Sequence, residues 1–202
     1  RFKRWPFAQK LAQSILSHSD SDSLVIGING KWGEGKTSTL KFIETELKRD
    51  SRVICIWFNP WLFRDENQLL LHFFAELSNK LKKSLKSSKE IAGILLKYGS
   101  AVIPSLGVSM LDGTQAEVNI GKNLETLGEN LSSVDISDLK KRLEKILKKE
   151  KKRIVILMDD IDRLDKIEIQ NIFKLIKLTA EFPYTNYILT FDQEMVSAML
   201  GE

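Results

Sequence analysis

The segment "LVIGINGKWGEGKTSTL", residues 24–40, runs from a short apolar stretch through Gly30, Gly33 and Gly35 into a helical pattern. A tight turn needs one glycine and no lysine. The spacing Gly30-x4-Gly35-Lys36-Thr37 is that of a phosphate-binding loop. Its context is also the demanding one, a strand before and a helix after. Glycines let the backbone pass through positive φ, so that amides converge on an anion. The following helix aims its positive dipole end at the same point. Residues Gly30, Trp32, Gly33, Glu34, Gly35, Lys36, Thr37 and Ser38 are the expected nucleotide-binding set. Lys36 is placed to bridge the outer phosphates, Thr37 to bind Mg²⁺ and Ser38 to reach an inner phosphate.

A second stretch supplies acids. "RIVILMDD" ends an apolar run with Asp159 and Asp160. In open α/β sheets, ligands sit at the carboxyl ends of the strands. Asp159 is placed to hold Mg²⁺. Asp160 is one step on, where it can orient and deprotonate a water attacking a terminal phosphate. Asp162 and Asp165 read as turn and cap residues. Arg163 pairs with these acids or touches a neighbouring subunit. Thr190 and Asp192 end a later apolar run. One of them can sense the terminal phosphate, if that strand lies between the two nucleotide-binding strands; plain N-capping by Asp192 is the alternative.

The rest of the pattern gives an α/β chain. Apolar period 3.6 predicts helices from Pro6, over Thr37–Leu47, over Glu66–Lys86 and around Leu139–Leu147. Buried strands are expected at Leu24–Ile28, Arg52–Phe58, Arg153–Met158 and Asn186–Phe191. Asp165 with Glu168 predicts a capping box, and Asp192 caps a last helix, Gln193–Leu200. Strands alternating with helices indicate parallel βαβ units. Residues 1–86 and 134–202 read as two parts of one core. Residues 87–133, rich in Gly and Ser, read as a helical or mobile insertion.

Composition narrows the setting. At 43% apolar residues the chain can bury a core. Cys55 is the sole cysteine, so no internal disulfide forms, and a reducing cytoplasm fits best. No secretory leader is seen. The missing initiator methionine suggests a piece of a longer protein. Net charge +4 permits contact with nucleic acid or anionic lipid without demanding it. Lysines 80–89 and 140–152 form solvated helix faces or such a surface. The uncharged run 98–111 contains Pro104 and Gly107 and falls short of the roughly 20 residues a membrane span needs. His72 and Glu76 stand four apart on a helix, but two ligands are too few for zinc. A guanine-reading Asn-Lys-x-Asp is missing, since "NKLK" at Asn79 lacks the aspartate; ATP is therefore preferred to GTP.

Together "RWPFAQKLAQSI", "GKWGEGKTS", "WFNPW" and "VILMDDIDRLDKIEI" resemble the KAP family of P-loop NTPases. "FPYTNYILTFDQEMV" resembles the family's next strand and helix. The resemblance covers nearly the whole chain outside 87–133. It implies a parallel sheet of the additional-strand type flanked by helices, with the fourth strand between the first and third. Family members include phage-exclusion proteins and membrane-associated signalling scaffolds. It further implies protein partners or self-association through regions beyond this piece, at the cytoplasm or the cytoplasmic face of a membrane. "WFNPW" reads as a turn clamped by Trp57 and Trp61, or as a partner-facing or nucleotide-sensing surface. The expected function is Mg²⁺-dependent ATP hydrolysis driving a switch. A regulatory nucleotide-binding module and a phosphotransferase are the alternatives.

Overall fold

The computed structural model describes residues 4–18, 22–63, 66–85, 90, 93–95 and 136–201. Most of the expected insertion lies outside the described residues. The elements are α1 (Arg4–Ser17), β1 (Val25–Asn29), α2 (Lys36–Leu47), β2 (Val53–Phe58) and α3 (Glu66–Ser84). They continue with α4 (Ile136–Glu150), β3 (Arg153–Met158), α5 (Lys166–Thr179), β4 (Thr185–Phe191) and α6 (Gln193–Leu200). Helix α1 starts two residues before Pro6. Proline is tolerated there because first-turn amides have no intrahelical acceptor.

Four parallel strands form one sheet in the order β1-β4-β3-β2. The fourth strand thus lies between the first and third, as the family resemblance implies. β1 and β2 precede 87–133 and β3 and β4 follow it, and all four share this sheet.

Strand β3 is buried from Ile154 to Met158, which is why its sequence is continuously apolar rather than alternating. Strand β1 departs from the buried strand that its apolar run predicts. It alternates exposed and half-buried residues, because among the described residues only one of its faces is packed. Its apolar composition serves one face only. Ile26 and Ile28 pack there with Ala8, Ala12 and Ile15 of α1, Leu40, Ile43 and Leu47 of α2, and Leu157 and Ile188. The opposite face carries Ile54, Ile156, Tyr187 and Leu189 against α3, α4, α5 and α6. Ile94 and Leu95 are buried in that second layer.

The turn after β2 is built differently from its sequence expectation. Pro60–Leu62 form a 3-10 turn. Its aromatic packing comes from Phe58, which stacks on Phe63 at 5.8 Å and meets Phe73 edge-on at 5.2 Å. Trp57 is half-buried against the α1–α2 layer, and Trp61 is exposed. The predicted capping box is present: Glu168 N donates to Asp165 Oδ1 at 2.8 Å, and Asp165 N donates to Glu168 Oε2 at 2.9 Å. It fixes where α5 begins, and hence the length of the turn after β3.

Leu157 is fully buried in a central strand. Leu157→Ala is expected to cost about 3 kcal/mol of stability, measured as a shift in urea midpoint at unchanged slope. Burial pushes the Cys55 thiol up to about 12, with Glu44 adding to the shift and Lys48 opposing it. At pH 8 this leaves roughly a thousandfold less thiolate than an ordinary cysteine carries. Iodoacetamide should therefore label the native chain far more slowly than the chain in denaturant.

Candidate functional site

The carboxyl ends of β1, β4 and β3 form one rim. The chain leaves β1 for a helix on one face of the sheet, and leaves β3 and β4 for helices on the other. That divergence opens a crevice at the rim. The glycine loop sits in it.

The loop is tied at both ends. Gly30 N donates to Phe191 O at 3.1 Å, which joins its start to the end of β4. Glu34 N donates to Lys31 O at 3.1 Å, while Lys31 N donates to Glu34 Oε2 at 2.7 Å. The Glu34 carboxylate thus braces the loop from within. Gly33 and Gly35 have φ of 79° and 77°, values that a side chain would strain. Gly35 is also the N-cap of α2 and supplies no capping side chain. The first amides of α2 are therefore left open to an anion. A Cβ on Gly35 would fall on the Arg4 guanidinium, so α1 delivers a second cation to the loop.

Lys36 is buried. Its ammonium donates to Gly30 O at 2.9 Å and to Asp162 Oδ2 at 3.3 Å. The two side chains of this ion pair are 7% and 6% exposed. Asp162 Oδ1 is buried with no hydrogen-bond partner. Thr37 and Ser38 follow, exposed, in the first turn of α2.

The acids after β3 divide by direction. Asp160 adopts the left-handed region, φ 58°, and opens the 3-10 turn Ile161–Arg163. Asp159 is buried; its carboxylate accepts from Asp160 N at 3.0 Å and from the Thr190 hydroxyl. Asp160 pairs with Arg163 at 3.0 Å, and Arg163 in turn lies over the Trp32 ring, 4.7 Å from its centroid. Burial raises the Asp160 carboxyl above its ordinary value, and neighbouring Asp159 adds to the shift; Arg163 opposes it. Asp192 caps α6, accepting from Glu194 N at 3.0 Å and Met195 N at 3.4 Å. Of the two residues at the end of β4, Thr190 therefore faces the acids and Asp192 is committed to the helix.

Asp162 and Arg163 are the site residues whose roles the sequence left as turn acid and undecided cation. The left-handed Asp160 reverses the backbone and sends Asp162 inward and Arg163 outward. Spacing alone does not disclose that reversal. Arg4 lies ahead of the helix predicted from Pro6 and enters the sequence reading only within the "RWPFAQKLAQSI" resemblance.

These residues fit a polyphosphate. A buried ammonium already held by a loop carbonyl and a carboxylate can take phosphate oxygens beside them, where the ligand adds to its partners. Thr37 and Asp159 supply the oxygen donors that a hard divalent cation takes. Among the described residues no three His, Cys, Asp or Glu cluster as a self-sufficient metal site. A cation here would therefore draw ligands from phosphate and water, as magnesium usually does.

The KAP family P-loop domain matches residues 4–202. The chain is 24% identical over 214 residues to the phage T7 exclusion protein of Escherichia coli (strain K12), covering 94% of this chain and 28% of that protein. It thus spans little more than a quarter of that relative's length. The ORC2 protein of Aeropyrum pernix in its ADP form aligns over 96% of this chain and 43% of its own, at 14% identity and a TM-score of 0.42. Its ADPNP–ADP complexes align with a TM-score of 0.41. The match over 4–202 settles the lineage: the chain belongs to the KAP family of P-loop domains, a nucleotide-binding fold.

Proposed function

We propose that this chain binds ATP with Mg²⁺ at the glycine loop and hydrolyses it to drive a conformational or assembly switch. The observation that carries the reading is the buried Lys36 ammonium, held between a loop carbonyl and an acid from the turn after β3. A triphosphate that shares this ammonium with Asp162 would couple the loop to the turn. Loop amides and Lys36 would bind the phosphates, and Thr37 and Asp159 would hold the metal. Bound magnesium would supply Lewis-acid neutralisation of phosphate charge. Asp160 would orient a water and take its proton. Thr190 would steady Asp159 from β4.

One observation favours a second reading, a regulatory module with little turnover. Arg163 engages the Asp160 carboxylate and keeps it from acting freely as a base. The name of the Escherichia coli relative supports phage defence as the setting. No described helix is long and apolar enough to cross a membrane.

Asp160→Asn keeps the left-handed backbone, which asparagine tolerates. It is expected to lower steady-state phosphate release on the order of a hundredfold. Equal release by wild type and variant, with nucleotide bound, would leave only the regulatory reading. Lys36→Met leaves Asp162 buried without its counter-charge and should cost about 3–5 kcal/mol in urea unfolding. Adding Asp162→Leu should restore most of that loss, because no lone charge then remains buried.

A further inference from the structure

We propose that Arg163 is the residue by which this site tells a nucleoside triphosphate from a diphosphate. It rests on the nucleotide reading above. One short turn faces the loop twice. Asp162 points inward to Lys36, and Arg163 points outward to Trp32. Arg163 thereby joins the two walls of the crevice. Its guanidinium binds Asp160 at the end of β3 and covers Trp32 in the middle of the glycine loop. Any anion lodged between those walls lies within its reach.

The existing contacts are suited to exchange. The Arg163 side chain is 51% exposed, and a half-exposed ion pair is weak. A phosphate offers more charge than a carboxylate and accepts the planar guanidinium in bidentate fashion. A ligand moves such a contact only through differential affinity. The group that distinguishes the two nucleotides is the terminal phosphate, so that group provides it. Trp32 is 72% exposed, and the guanidinium lies over its ring. When Arg163 turns to the phosphate, Trp32 loses this neighbour and Asp160 loses its partner. The same movement reports the triphosphate and frees the base.

The experiment uses the full-length protein with Mg²⁺, ADP, and the non-hydrolysable analogue adenylyl-imidodiphosphate. Calorimetry gives affinities, and tryptophan fluorescence follows Trp32. Arg163→Ala should weaken the analogue about tenfold or more, the scale of a lost charge-assisted contact, while ADP stays within about twofold. The analogue, and not ADP, should change the emission of the wild type. Trp32→Phe and Arg163→Ala should each abolish that change. Arg163→Lys, which keeps the charge without the fork, should retain part of the preference. Unchanged analogue affinity in Arg163→Ala overturns the proposal. So does an equal loss for both nucleotides, or a lysine variant that loses both equally. Wild type that binds neither nucleotide defeats the nucleotide reading itself, and this proposal with it.

Discussion

A lysine ammonium sits out of water at the centre of this molecule's rim, and its neighbours are arranged around that fact. An unpaired charge there would cost several kcal/mol, so a counter-charge and an acceptor must be held in place. Gly30 O and Asp162 fill those roles. They come from parts of the chain 126 residues apart in the case of the ion pair. The contact therefore fixes the glycine loop against the turn after β3, and does so through charge rather than shape. Charge is the property an anionic ligand can compete for.

The sheet order gives that competition its geometry. With β4 between β1 and β3, the loop and the acids are one strand apart rather than adjacent. The intervening strand places Thr190 against Asp159. A hydroxyl from the middle strand thereby orients a carboxylate from the next. Parallel pairing makes this work, since all four strands point their carboxyl ends the same way.

Much of this was legible in the residues. Regular periodicity located the helices, and the β-branched runs located β2, β3 and β4. The capping box of Asp165 and Glu168 was visible because its hydrogen bonds are local. The one-sided burial of β1 was not visible, because "LVIGI" is equally apolar whether one face is covered or two. The clamp around Pro60 was assigned to tryptophans by proximity, while Phe63 and Phe73 reach Phe58 through the fold. At the site, loop spacing identified Lys36 without showing where its ammonium points. The inward turn of Asp162 depends on one left-handed residue, Asp160, whose side-chain chemistry permits that conformation without requiring it.

The end of β4 holds a further lesson. Over four residues, Thr190 grips the acids, Asp192 seals α6, and Gln193 N donates to Asn29 Oδ1 at 3.0 Å. Lys31 and Glu194 add an ion pair at 3.1 Å between loop and helix. Helix α6 is thus pinned at its base to β1 and the glycine loop, and at its far end to α5, where Lys166 Nζ donates to Leu200 O at 2.9 Å. It is a strut held at both ends. A displacement of the glycine loop would thus be carried through α6 to the start of α5, the helix whose capping box closes the turn after β3.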